Sequence, residues 1–299
     1  MSIPTQSYES VHTKYSAALI WLASLGVSIG PGRTSYYART IEYWKDAYKT
    51  ASATEGKAIF PDFVNSMFEV YDFIDIYESL KGVPFEQLAS IKEKLQKAVN
   101  GPINAAEETP QSTAARNFLF EAALAARAHR PDRGLTTIFE AESDTGVRIE
   151  SSKLWIECKR VTTADKLEAN ARKASRQLES VLRKRCGSGH RGIVAMDVSK
   201  IMNAGDKIFV SPTDSALIHS VNNIMDQFIK KYSPNWERVY ERRDRKIIGT
   251  ILRLAFMATS EGRNILVHAS QWGLNPRLGI SKSDDQVLRR LVTTLKDVA

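Results

Sequence analysis

The stretch "LWIECKRVTT", Leu154 to Thr163, has the apolar character of a buried strand but carries two opposite charges within it. Successive side chains of a strand point to opposite faces, so residues two positions apart share a face. Glu157 and Lys159 therefore emerge together, whereas Cys158 points to the other face as a small apolar residue. Because an uncompensated buried charge is costly, the pair favours a chemical role over a packing role.

The elements around this strand indicate a mixed α/β fold. Apolar periodicity and turn residues predict helices at 114–130, 164–185, 213–232 and 246–259, and strands at 135–143, 146–151, 153–161, 191–199 and 264–272. Strands that alternate with helices in this way predict a mixed sheet flanked by helices.

The first hundred residues follow a different pattern. Residues from about 10 to 105 contain four helical segments, and a Pro-containing polar stretch at 100–112 follows them. Hydrophobic pattern and net charge both change across this stretch, as they do at domain boundaries. The sequence therefore predicts a helical accessory domain at 1–105 and an α/β domain at 106–299.

Composition excludes several classes of protein. The chain has 299 residues, of which 43% are hydrophobic and 25% charged, so it has material for a packed core and is not compositionally disordered. Its two cysteines, Cys158 and Cys186, are too few for a zinc site. The amino terminus has no basic and apolar signal-peptide pattern, and the apolar runs are shorter than a membrane span. We expect a cytoplasmic protein that does not enter membranes.

Positive charge is concentrated after residue 100. Residues 1–100 carry 10 basic and 11 acidic side chains, whereas the remainder carries 32 and 23, a net charge of +9. A surface of this kind attracts polyanions such as nucleic acids. We therefore expect a nucleic-acid partner to bind the second part of the chain.

This part of the chain contains, in order, Glu121, Asp144, Glu157, Lys159 and Gln177, a set that resembles the active site of the PD-(D/E)XK nuclease superfamily. Glu157-Cys158-Lys159 matches the acid-x-Lys of that family, and Asp144, 13 residues earlier, matches its preceding acid. Glu121 corresponds to the additional acid on the helix before the sheet, and Gln177 to a glutamine on the helix after the motif. Glu142 and Glu140 compete with Asp144 for its role.

The resemblance covers about residues 112–272 and implies a restriction-endonuclease-like fold and a divalent ion, magnesium or manganese. It implies that Asp144, Glu157 and Glu121 hold the metal and that all five matched residues belong to the active site. Hard oxygen ligands suit these ions. Lys159 is expected to orient or deprotonate the attacking water, or to stabilise the developing anion.

Basic residues near the motif are the candidates for phosphate contacts. They are Arg160, Arg172, Lys173, Arg176, Arg183, Lys184 and Arg185, and a second cluster comprises Arg242, Arg243, Arg245 and Lys246. A solvated helix face is the alternative interpretation of such charge runs, but phosphate binding is a direct use for them beside a metal site.

The function expected from these features is metal-dependent phosphodiester hydrolysis, of DNA rather than RNA. Two alternatives remain open: a nucleic-acid-binding protein that does not cleave, and a protein-interaction module that uses the aromatic helix "YYARTIEYWKDAY" at 36–48. The resemblance also implies a homodimer as a possible assembly, since many members cut two strands as dimers.

Overall fold

The computed structural model describes residues 6–109, 112–203, 207–262 and 266–296, without the side chains of residues 53 and 106. The helices predicted between residues 10 and 105 are present. They are α1 (Tyr8–Ser24), α2 (Arg33–Ala47), α3 (Ala53–Leu80) and α4 (Ala89–Ala98). Across the described ranges, no helix has the length and apolarity that crossing a lipid bilayer requires.

The aromatic residues of α2 belong mainly to the core of these helices. Tyr37 and Trp44 are buried, and the Trp44 ring stacks on Phe63 of α3 at a centroid distance of 4.7 Å. Tyr43 is exposed. The periodic aromatic pattern of this helix is thus explained chiefly by packing between α1, α2 and α3.

The remaining chain forms a mixed sheet with helices on both faces. The helices are α5 (Ala114–Ala128), α6 (Leu167–Arg183), α7 (Ser199–Met202), α8 (Asp214–Tyr240) and α9 (Lys282–Lys296). The strands are β1 (Leu135–Ile138), β2 (Thr145–Ile149), β3 (Ser152–Arg160), β4 (His190–Asp197), β5 (Ile208–Ser211), β6 (Ile247–Ser260) and β7 (Val267–Pro276).

Strand order places β3 near the middle of the sheet. The strands run in the order β1-β2-β3-β4-β6-β5, and β7 pairs with the other side of β6. The β1-β2-β3 pairs are antiparallel, whereas β3-β4 and β4-β6 are parallel. Helices α5 and α9 pack on one face, and α6 and α8 pack on the other. The mixed α/β architecture predicted from the sequence is confirmed at this level.

The prediction of a helix at 246–259 is wrong, because these residues form β6, the longest strand of the sheet. β6 is buried almost throughout and has strands on both sides. A strand buried on both faces presents a continuous apolar run, which periodicity alone does not distinguish from a buried helix. The strand predicted at 135–143 ends at Ile138, and β5 and α9 had not been predicted.

Helix α3 connects the helical part to the sheet. It packs against α5, β6 and β7. Three acidic residues along α3 pair with arginines of the α/β part: Glu69 with Arg116, Asp72 with Arg253, and Asp75 with Arg127. Division into two domains near residue 105 stays a prediction, and these contacts are where the two parts meet.

Candidate active site

The register of β2 against β3 places Asp144 beside the Glu157–Lys159 pair. Thr145 lies opposite Ile156 in this antiparallel pairing. Asp144, one residue before β2, is therefore next to Glu157, and its Oδ2 accepts a hydrogen bond from the backbone N–H of Cys158 at 2.8 Å. The acid that precedes the motif along the chain thus reaches the motif itself.

Lys159 contacts both carboxylates. Its Nζ lies 3.2 Å from Glu157 Oε2 and 3.5 Å from Asp144 Oδ2, and it donates to the Cys158 carbonyl at 2.9 Å. The side chains are shielded unequally: Glu157 is 4% exposed, Lys159 13% and Asp144 24%. The group is therefore mostly withdrawn from water, and Asp144 lies nearest to solvent.

Burial and mutual charge interactions together shift the pKa values of Glu157 and Lys159. Burial, and then the negative charge of Asp144, raise the pKa of Glu157 to about 7. Burial lowers the pKa of Lys159, but the charges of Asp144 and Glu157 outweigh that effect and raise it above its ordinary value. Lys159 is thus an ammonium at neutral pH, and burial beside Asp144 disfavours the charged form of Glu157.

Glu121 joins the group through a lysine that the sequence analysis missed. Glu121 lies buried on α5, and Lys94 of α4 forms an ion pair with its Oε2. Lys94 Nζ also donates to the Asp144 carbonyl at 2.5 Å. Burial and the charge of Asp144 raise the pKa of Glu121. A lysine 27 residues away along the chain gives no local signal of such a contact.

The other predicted acids and Gln177 lie apart. Gln177 is exposed on α6 and, over the described ranges, makes no hydrogen bond with Asp144, Glu157 or Lys159. Glu142 is exposed and pairs with Lys184 and Arg185. The structure therefore associates Asp144, and not Glu142, with the motif; Glu140 is exposed.

The oxygen donors around Lys159 are of the type that holds a hard cation. Within the part of the chain that the structure describes, no three His, Cys, Asp or Glu side chains form a metal-binding group. Asp144 Oδ2, Glu157 Oε2 and the Cys158 carbonyl nevertheless all contact the Lys159 ammonium. Oxygen donors of this type suit magnesium or manganese, while Glu121 is paired with Lys94.

The predicted phosphate-binding residues differ in their surroundings. Lys173, Arg176 and Arg183 form an exposed row on α6 and have no ion pair within the described residues. Arg172 pairs with Glu168, and Lys184 and Arg185 pair with Glu142.

Arg160 is the least accessible of the predicted phosphate contacts. Its side chain is 10% exposed and forms an ion pair with Glu108, whose side chain is fully buried. Arg185 is also partly engaged, because its guanidinium lies over the Trp155 ring at 4.7 Å. Of the seven candidates beside the motif, the three in the row on α6 are thus exposed and form no ion pair among the described residues.

No family model matches this chain, and neither the curated proteins nor the solved structures include a significant match.

Proposed function

We propose that this protein is a metal-dependent nuclease with a restriction-endonuclease-like sheet, which hydrolyses phosphodiester bonds of DNA in preference to RNA. The observation that carries the proposal is the contact of the Lys159 ammonium with the carboxylates of both Asp144 and Glu157. The pairing of β2 with β3 brings Asp144 to Glu157 and Lys159 from 13 residues before Glu157 in the sequence. The preference for DNA rests on the family resemblance.

Asp144 and Glu157 would hold a magnesium or manganese ion, together with the Cys158 carbonyl. Such an ion supplies Lewis-acid chemistry, since it acidifies water and polarises a phosphoryl oxygen. The N–H of Cys158 fixes one oxygen of Asp144. A divalent ion would have to displace the proton that the raised pKa of Glu157 favours, and its charge would offset the burial of the carboxylate.

Lys159 acts as a cation in this proposal. Two neighbouring carboxylates raise its pKa against the effect of burial, so it carries a proton at neutral pH. A protonated lysine cannot abstract a proton from water, but it can donate hydrogen bonds to a phosphoryl oxygen that gains negative charge. This makes anion stabilisation the better supported of the roles considered for Lys159.

A cleavage assay with the purified protein tests the proposal. The substrates are circular DNA, linear DNA and RNA, and each is incubated with Mg²⁺, Mn²⁺ or a chelator. We expect cleavage with either ion and none with the chelator. Nicked or linearised circular DNA identifies an endonuclease. Absence of cleavage of every substrate with both ions would contradict the proposal.

The alternative of binding without cleavage has one observation in its favour. Lys94 and Lys159 pair with acidic residues of the site, so the structure holds two internal cations there. If this alternative holds, DNA is retarded in gels equally with Mg²⁺ or with chelator, and no substrate is cut.

A further inference from the structure

Lys94 brings a positive charge from the helical part into the candidate site. Its ammonium lies between the Glu121 carboxylate and the Asp144 carbonyl, and its side chain is 15% exposed. Ile91 and Leu95, its neighbours on α4, are buried in the core. The lysine is thus held by α4 against α5 and the start of β2.

The two lysines contact different groups of Asp144. Lys159 contacts the Asp144 carboxylate and Glu157, whereas Lys94 contacts the Asp144 carbonyl and Glu121. Each ammonium therefore lies between two acidic residues, where oxygen atoms converge. Divalent ions select the same arrangement of oxygen atoms.

The charges favour a single divalent ion. Three carboxylates and two ammonium groups have a net charge of −1 when all are ionised. One divalent ion changes this to +1, and two would change it to +3 in a mostly buried group. Like charges repel strongly where water is excluded.

We propose that Lys94 takes the position of a second cation, so that the site binds one divalent ion, at Asp144 and Glu157, and Glu121 is not a metal ligand. Lys94 is then a positioning residue: it neutralises Glu121 and fixes the backbone of Asp144. This inference rests on the proposed function, because it assumes an ion at Asp144 and Glu157.

Counting bound Mn²⁺ tests this directly. The full-length protein is titrated with Mn²⁺, and the concentration of free Mn²⁺ is measured by electron paramagnetic resonance. The parent and Lys94→Arg should each bind one ion. Lys94→Met, which keeps the length but removes the charge, should bind two ions. The double variant Lys94→Met/Glu121→Gln should return to one. A merely structural role for Lys94 would not change the number of ions in this pattern.

The outcomes separate this inference from the proposed function. If the parent bound two ions, or if Lys94→Met bound one ion at any affinity, the inference about Lys94 would be overturned and the proposed function would not. Loss of ion binding in Glu121→Gln would also overturn this inference, and this variant serves if Lys94→Met does not fold. No Mn²⁺ bound to the parent, or an ion retained by Glu157→Ala, would overturn the proposed metal site itself.

Discussion

The surroundings of Glu157 disfavour its negative charge, which makes the stability of the folded protein depend on pH. Its pKa in the folded protein is about 7, above the ordinary value near 4.5, because of burial and then the charge of Asp144. Between these two pH values the folded state binds more protons than the unfolded state. Stability must therefore fall as pH rises through this window.

Glu157→Gln should remove that pH dependence. Below about pH 4.5 the parent side chain is protonated in both states, so the variant gains nothing from the substitution. At pH 8 the parent buries a charge and the variant does not, so the variant should melt at a higher temperature. Calorimetry between pH 5 and 8 measures the difference, which should grow with pH. Parallel curves for the two proteins would contradict the cause assigned to the pKa shift.

Asp144 and Glu142 provide a matched pair for identifying the metal-binding acid. Asp144→Asn should reduce cleavage roughly a hundredfold or more, because it weakens a ligand and alters the contact with Lys159. Glu142→Gln should be mild, since Glu142 is exposed and pairs with Lys184 and Arg185. Cleavage rates at saturating Mg²⁺ measure both. The reverse order would mean that the wrong acid was selected.

Strand alternation was enough to predict one part of this site, whereas other parts depend on the three-dimensional fold. The shared face of Glu157 and Lys159 follows from their spacing, and the register of β2 and β3 brings Asp144 to them. Lys94 could not be found in this way, because only the docking of α4 against α5 places it beside Glu121. Gln177 fits the sequence pattern but points to solvent.

At the scale of elements, α6 presents an exposed row of positive side chains. Leu167, Ala171, Ala174 and Leu178 face the sheet, so the opposite side of the helix is solvated. Lys173, Arg176 and Arg183 lie on that exposed side.

Replacing these three residues by alanine should weaken DNA binding and reduce its dependence on salt. Each lost phosphate contact should lower the slope of log affinity against log salt by about 1. A Lys49/Lys57/Lys92 triple alanine variant removes the same charge from exposed positions of the helical part and should bind as the parent does. Equal effects of both triple variants would mean that only net charge matters.

The helix wrongly predicted at 246–259 shows where element prediction fails. Gly249, within this run, approaches the backbone oxygen of Asn275 so closely that a Cβ there would lie 2.8 Å away. Such closeness is the consequence of pairing with β7, which sequence periodicity does not reveal. β3 and β4 were predicted because each is a short apolar run bounded by turn residues.

At the scale of the whole molecule, buried ion pairs fix the helices against the sheet. The Arg253 side chain is 2% exposed and pairs with Asp72 of α3, and it lies 3.7 Å from Asp197 of β4. The helices of the first part could be predicted individually from periodicity. Their docking could not, because it depends on charge partners that are up to 181 residues apart.

Asp72→Ala should destabilise the protein by about 3–5 kcal/mol, because it leaves a buried arginine short of its partner. Glu78→Ala is the matched control on the same helix, since Glu78 pairs with a half-exposed lysine; it should cost about 1 kcal/mol or less. Urea unfolding followed by fluorescence and circular dichroism measures both. Similar losses for the two variants would contradict the role assigned to the buried pair.

The most direct test of the proposed nuclease site compares the rates of DNA cleavage by the parent, Glu157→Ala and Lys159→Ala. The rates are measured on labelled DNA with Mg²⁺, at protein concentrations that bind the same fraction of the DNA. We predict cleavage by the parent that stops with chelator, and rates lower by roughly a hundredfold or more for both variants. Binding should persist in both, and Glu157→Ala should bind DNA at least as tightly because it loses a negative charge. Parent-like cleavage by both variants would contradict the assignment of the site.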